Sequence, residues 1–195
     1  MTVLAPRPVA LTPRVEAWHR RGAMEEHGER QIFVLDQAGS DPPLLFLHAY
    51  PSSSYDWRGV VDRLPGRRLT CFDFLGFGLS DKPADVRYSL HLQVDLAEAV
   101  AQRFAGRPVV LVAHDMGASV ATELLARDLE GKLGFRLAAV LLLNASLVVE
   151  QASLTISQKL LRSRAGPLMS RLSNQRAFRI QMARLFSDPH PLTEE

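Results

Sequence analysis

Cysteine, repeats, long apolar runs and an excess of either charge are what this sequence has least of. Cys71 is the single cysteine in 195 residues, so no internal disulfide can form, which fits a reducing compartment. No apolar run is long enough to span a bilayer. Residues 1–13 carry Arg7 and three prolines and have no apolar h-region, so they do not read as a secretory signal. The expected location is the cytoplasm. A formal net charge of only +2 argues against the whole chain binding nucleic acid. Histidines and acidic residues nowhere fall at metal-ligand spacing, and neither a metal nor a cofactor is expected. Gly76-x-Gly78 lacks the third glycine of a dinucleotide fingerprint, and Asp81-Lys82-Pro83 follows it in place of a helix.

What is present is a chain 47% hydrophobic, enough for one domain with a substantial core, or one domain and part of another. Residues 1–13 read as an extended arm. Glu16–Met24 and Gln31–Leu35 read as two strands around a turn at Glu26-His27-Gly28. Leu44–Leu47 is a continuous apolar run, as in a strand buried on both faces, and it ends in the loop His48-Ala49-Tyr50-Pro51. Ser53 and Asp56 can cap a following helix whose inner face is Trp57, Val60, Val61 and Leu64. Leu69–Phe72 is a short strand closed by the loop 73–83. Ser89 caps a helix with Leu90, Val94, Ala97, Ala101 and Phe104 on one face. Leu137–Leu143 reads as one more buried strand, ending at Asn144-Ala145-Ser146. Strands alternating with helices imply an α/β chain with a mostly parallel sheet covered on both faces. Ligands on such sheets bind at the carboxyl ends of the strands, where Tyr50, Gly76, Asp115 and Asn144 fall.

The stretch Val109–Ser119 organises the chain. Four apolar residues lead into Ala113-His114-Asp115-Met116-Gly117, and a helical pattern begins at once and runs to about Leu129. A strand that becomes a helix in two residues must turn sharply. The small residues Ala113 and Gly117 let the two backbones approach, and the apex residue, Asp115, projects its side chain from a strained conformation. This is the nucleophile-elbow pattern with Asp at its apex. The plainer alternative is a buried strand whose Asp caps the next helix. His48 and Asp73 read as residues that tie their loops down, and His114 as one that points into the packing of the sheet.

Three motifs, His48-Ala-Tyr-Pro-Ser-Ser-Ser-Tyr-Asp-Trp57, Asp73-Phe-Leu-Gly-Phe-Gly-Leu-Ser-Asp-Lys-Pro83 and His114-Asp-Met-Gly117, stand in the order and at the spacing of a known family. Through them the chain resembles the α/β-hydrolase superfamily, in the branch with an aspartate nucleophile that includes epoxide hydrolases and haloalkane dehalogenases. Within it the chain looks most like mesoderm-specific-transcript-like hydrolases. The resemblance runs from about Ile32 to the C-terminus. It implies an α/β-hydrolase fold, with residues 1–146 as the N-terminal part of the core and residues 147–195 as the start of a helical cap. It also implies Asp115 as the nucleophile that forms a covalent ester, and the backbone N–H groups of Tyr50 and Met116 as the oxyanion hole. In the loop, Ala49 stands where the family usually has Gly.

The family sheet has eight strands, of which about six are legible here. Its water-activating His follows the last strand, and its partner acid usually follows the strand before. Past Asp115 this sequence holds one histidine, His190, in the cap region, and Asn144 occupies the place where some dehalogenases carry the acid. The chain is therefore expected to be incomplete for catalysis, with its C-terminal strands lying outside it. The expected substrate is a small organic electrophile, an epoxide or a related molecule. Dehalogenation ranks lower, because Met116 lacks the indole N–H that many haloalkane dehalogenases place after the nucleophile. A non-catalytic scaffold or binding protein on the same fold is the alternative, and a Ser-type esterase is disfavoured by Asp115. Residues 151–187 hold seven Lys and Arg and no acidic residue. They read either as the solvated face of cap helices or as a surface for weak contact with a membrane or an anionic partner. Leu137–Leu143, with no charge, proline or alternation, reads as an interior strand whose exposed edge would promote self-association.

Overall fold

The computed structural model describes residues 10–145 and, beyond them, Lys159, Ser163 and Gly166. Apart from these three, the expected cap region 147–195 and its basic stretch lie outside the described residues. Two compact units divide the chain, 1–147 and 148–195, and the fold below is that of the first.

The elements run α1 (Pro13–His19), β1 (Ala23–His27), β2 (Arg30–Gln37), β3 (Ser40–Leu47), a 3-10 turn (Ser54–Trp57) leading into the short α2 (Arg58–Val61), β4 (Arg67–Phe72), α3 (Leu90–Ala101), β5 (Val109–His114), α4 (Met116–Leu129) and β6 (Leu137–Leu143). The described strands form one six-stranded sheet in the order β1-β2-β4-β3-β5-β6. β1, β2 and β4 pair antiparallel, and β4, β3, β5 and β6 pair parallel. The apolar runs serve both faces through the two-residue period of a strand. From β2, Ile32 and Val34 enter one core cluster while Phe33 and Leu35 enter the other; from β3, Leu45 and Leu47 oppose Phe46. The first cluster is covered by α3 and α4 through Val94, Ala97, Val100, Val120, Ala121 and Leu124. The second is covered from the α1 side by Trp18 and from the α2 side by Trp57 and Val61. Cys71 is fully buried in that second cluster, where it packs as a small hydrophobe.

Four sequence expectations are corrected. Glu16–Met24 is not a strand: its first part is helix α1, and only Ala23–His27 is extended. The start signal is Thr12-Pro13, with Thr12 Oγ1 accepting from Val15 N–H at 3.4 Å and proline at the first helical position, where its missing N–H costs nothing. The same signal places Pro13, the expected last residue of an extended arm, in the helix; residues 1–9 of that expected arm lie outside the described residues. Val60 is 40% exposed, because a 3-10 turn precedes the four-residue α2 and only Trp57, Val61 and Leu64 face the core. Leu90 is 46% exposed; it is the first residue of α3, ahead of the stretch that lies over the sheet. Leu137–Leu143 is a strand, and its edge is exposed as expected. It forms the sheet edge among the described residues, with Leu141 51% and Leu143 37% exposed. Its Val140 and Leu142 still pack toward the α4 side.

Candidate active site

Asp115 is built by two constraints that meet at the end of β5. Gly117 begins the first turn of α4 against the end of β3: a Cβ there would lie 2.7 Å from Leu47 C and 2.9 Å from His48 O, and closer still to the Leu47 carbonyl oxygen. Asp115 N–H donates to Leu143 O at 3.0 Å, so the chain is still tied to β6 where the helix starts. The backbone can satisfy both only with Asp115 at φ 51°, ψ −111°, a region that residues with a Cβ rarely occupy. The turn throws the carboxylate away from α4. Asp115 is the N-cap of that helix by position, and its carbonyl accepts from Ala118 N–H at 3.0 Å, yet its side chain makes no capping hydrogen bond. Instead Oδ2 accepts from Tyr50 N–H at 2.9 Å. The helix-capping alternative is thereby set aside for the side chain. Asp115 is half-buried, and among the described residues no cation pairs with it. The N–H of Met116 is the first of α4, one of the four that a helix leaves without an intrahelical acceptor, and it follows Asp115 directly in the chain.

The loop that brings Tyr50 to Asp115 is held from behind. His48 is fully buried. Its Nε2 accepts from Phe74 N–H at 3.0 Å, so Nδ1 carries the proton and donates to Ala49 O at 2.8 Å. Ala49 is buried, and its φ is not positive, so the methyl group that replaces the family glycine is accommodated without backbone strain. Asp73, also buried, accepts from Ser54 N–H and from Leu79 N–H, each at 2.7 Å. Its carboxylate fills the space that a side chain at Gly78 would need. Gln93, on the buried face of α3, grips both polar atoms of the Leu75 backbone at 2.9 and 3.1 Å. Loop 73–83 is thus pinned at three points, and it sets Phe77 edge-on to both His48 and Tyr50, at 5.6 and 6.0 Å between ring centroids.

Burial pushes the His48 imidazolium below its ordinary pKa, against the opposing pull of the Ala49 carbonyl and of Asp73. The unfolded chain takes up this proton near pH 6.5 and the folded protein only at lower pH, so between the two the unfolded state binds more protons. The contribution is complete above about pH 6.5 and is lost progressively as pH falls below it. Melting curves from pH 7.5 down to 5 should show the wild type losing its stability advantage over His48→Gln across that range. A difference between the two proteins that stays constant with pH would overturn the assignment.

Of the strand-end residues expected to share a site, the structure joins Tyr50 to Asp115 directly. Met116 follows in the chain. Gly76 (φ 93°) lies under the ring of Tyr88. Asn144 is turned elsewhere: it sits at φ 48°, and its Nδ2 donates to His114 Nε2 at 3.2 Å. His114 is therefore not in the packing of the sheet, as its sequence position led us to expect. It is the last residue of β5, half-buried, and lines a cavity of about 470 Å³ with Trp57, Arg58 and Asn144, its ring edge-on to Trp57 at 6.4 Å. Gln93 and Phe77 were not singled out from the sequence. A glutamine on the apolar face of an amphipathic helix was the available signal for the first.

The chain matches the model of the alpha/beta hydrolase fold over residues 42–180. It is 46% identical over 184 residues to LipZ of Mycobacterium tuberculosis, covering 94% of this chain and 64% of that protein. To the human mesoderm-specific transcript homolog protein it is 33% identical over 177 residues, covering 86% of this chain and 53% of the relative. The chain thus spans between about half and two thirds of the length of these curated relatives. Among solved structures it resembles haloalkane dehalogenase DatA from Agrobacterium tumefaciens C58, with a TM-score of 0.69 at 28% identity, over 88% of this chain and 58% of that one.

Proposed function

The chain belongs to the alpha/beta hydrolase fold family, and on that premise we propose that the protein is a hydrolase whose nucleophile is Asp115, acting on a small organic electrophile of the epoxide type through a covalent ester. The observation that carries this reading is the conformation of Asp115: a strained backbone that withholds the carboxylate from helix capping and holds its Oδ2 on Tyr50 N–H. A carboxylate with one oxygen anchored presents the other, Oδ1, to an electrophilic carbon. The resulting ester is opened by water. The oxyanion of that step would be met by the N–H groups of Tyr50 and Met116, the first of which already lies within hydrogen-bond distance of the carboxylate.

We assign the water-activating base to residues outside those described: His48 and His114 are held by neighbours, and His19, His27 and His91 lie against Phe33, Glu25 and Glu123. Epoxides rank above alkyl halides because Met116, beside the nucleophile, has no side-chain donor for a departing halide. The haloalkane dehalogenases among the relatives make alkyl halides the second class to assay. The reading of a non-catalytic scaffold draws on Asn144, an amide spent on His114 where a carboxylate would serve catalysis.

The test is to treat the intact protein with an epoxide and locate the added mass by peptide mapping. The adduct is expected on the peptide containing Asp115 and is expected to be missing at early times from Asp115→Asn. Mass on another peptide, or an Asn variant that reacts at once, overturns the assignment. Halide release from several haloalkanes at rates matching epoxide opening would overturn the ranking of substrates.

A further inference from the structure

Helix α3 carries a second apolar row beside the one it buries. Val94, Ala97, Val100 and Ala101 lie in the core. Leu92, Leu96 and Ala99, spaced by four and three residues, line up next to them. This row is only partly covered: Leu92 and Leu96 are half-buried and Ala99 is exposed. It forms one wall of a cavity of about 270 Å³. The turn between β1 and β2 supplies His27 and Gly28, β2 adds Arg30 and Ile32, and Leu75 completes the lining. Gly28 leaves the space open, since a Cβ there would meet nothing within 4 Å. The volume is just under the ~300 Å³ at which pockets for drug-sized ligands begin, and so suits a small molecule. Tyr50, Asp115 and Met116 are not among its lining residues.

The charged groups on this wall are unequally committed. Asp95 is 2.7 Å from Arg127, whose guanidinium also holds Glu98 at 2.8 Å. His27 is turned to Glu25, with Nε2 3.6 Å from its carboxylate, and both oxygens of Glu25 accept from Arg103, at 3.2 and 2.7 Å. Arg30 donates from Nη2 to Asp85 at 2.9 Å, and its guanidinium makes no other hydrogen bond among the described residues. Asp85 is largely exposed, so water competes for that pair and it adds little. A guanidinium has five donors in a planar fork that matches a carboxylate. We infer that the cavity is a binding site for a small amphiphilic carboxylate, its apolar tail on Leu92, Leu96 and Ala99 and its carboxylate on Arg30. The row rises about 10 Å along the helix, enough for an alkyl chain of medium length. The ligand's carboxylate takes the place of solvent, or of Asp85, at little cost. Through Leu75, whose N–H and C=O Gln93 holds, the site backs onto the loop that carries Phe77 to Tyr50.

The experiment titrates the intact, isotope-labelled protein with octanoate, 1-octanol and octylammonium, three probes with the same tail and different heads. The amide resonances of Gly28 and Ala99 report on the two sides of the cavity. Octanoate is expected to shift both in a saturable way and to bind about 10-fold or more tightly than octylammonium, with 1-octanol between them. Arg30→Gln should weaken octanoate about 10-fold and leave 1-octanol unchanged. Asp85→Asn, which breaks the same ion pair but keeps the guanidinium, should not weaken octanoate. Ala99→Phe, which fills the row from an exposed position, should weaken all three. Octylammonium binding as tightly as octanoate, or octanoate binding that Arg30→Gln spares or Asp85→Asn weakens equally, would overturn the assignment to Arg30. Binding that survives Ala99→Phe would place the ligand elsewhere. Absence of saturable shifts with every probe would make the cavity a packing gap and end the inference.

Discussion

Asp115→Gly is expected to melt above Asp115→Ala, by about 1–2 kcal/mol, while both variants lose turnover by about 10⁴-fold or more. Both substitutions remove the carboxylate and its bond to Tyr50 N–H, so those losses cancel in the comparison. What remains is the Cβ held at φ 51°, ψ −111°. Elsewhere, placing Gly where Ala fits costs about 0.4–1 kcal/mol through the freedom of the unfolded chain. Here the strain of about 1–3 kcal/mol that a Cβ suffers in this region exceeds that cost, and the usual order is inverted. Thermal or urea melts of the two variants side by side read the difference. An Ala variant as stable as the Gly variant, or more so, would show that the elbow is not strained. Substantial turnover by either would show that Asp115 is not the nucleophile. The two halves of the prediction fail independently, because one reads the backbone and the other the carboxylate.

Gly117→Ala should cost about 3 kcal/mol and lower the melting temperature by about 10 °C. The added methyl group would be 2.7 Å from Leu47 C and 2.9 Å from His48 O. These are backbone atoms at the end of β3, which is paired on both sides, by β4 and by β5. A side chain can rotate away from such an overlap, but a strand bonded on both edges cannot. Relief therefore has to come from moving the start of α4, which carries Asp115 and Met116 with it, so activity should fall further than stability alone accounts for. Gly28→Ala is the control: Gly28 also has a positive φ, 62°, but nothing lies within 4 Å of a Cβ there, and its cost should stay near 1 kcal/mol. A Gly117→Ala protein that melts within about 2 °C of the wild type would mean that the helix and strand are not in the close contact described.

Much of this was legible beforehand where a local signal agreed with the packing. The run Val109-Val-Leu-Val followed by Ala113 and Gly117 marked a strand entering a helix with no loop between, and β5 and α4 lie there. Ser89 announced the start of α3, and its Oγ accepts from Leu92 N–H at 3.2 Å. Legibility failed where two local signals competed. Glu16–Met24 reads as a strand, but Thr12-Pro13 just before it starts a helix, and a cap that fixes φ and supplies an acceptor prevails there. At Leu137–Leu143 the apolar run lies at an exposed sheet edge among the described residues, as its lack of an outer neighbour led one to expect.

By itself, then, the sequence determined the order of strands and helices, the glycine that must meet a backbone, and the identity of the residue at the turn. Each of these follows from side-chain size, period and local hydrogen bonding, which act over a few residues. Only the tertiary structure decided what Asp115 does with its carboxylate. A carboxylate that caps its helix and one that does not look alike in sequence. Here it is held off the helix by Tyr50, 65 residues away along the chain, and by the pull of β3 and β6 on either side of the turn. The same holds for His114 and Asn144, assigned separately and brought together at the ends of adjacent parallel strands. Partners of that kind are set by strand register, and register is fixed by the whole hydrophobic pattern of the sheet rather than by any one segment of it.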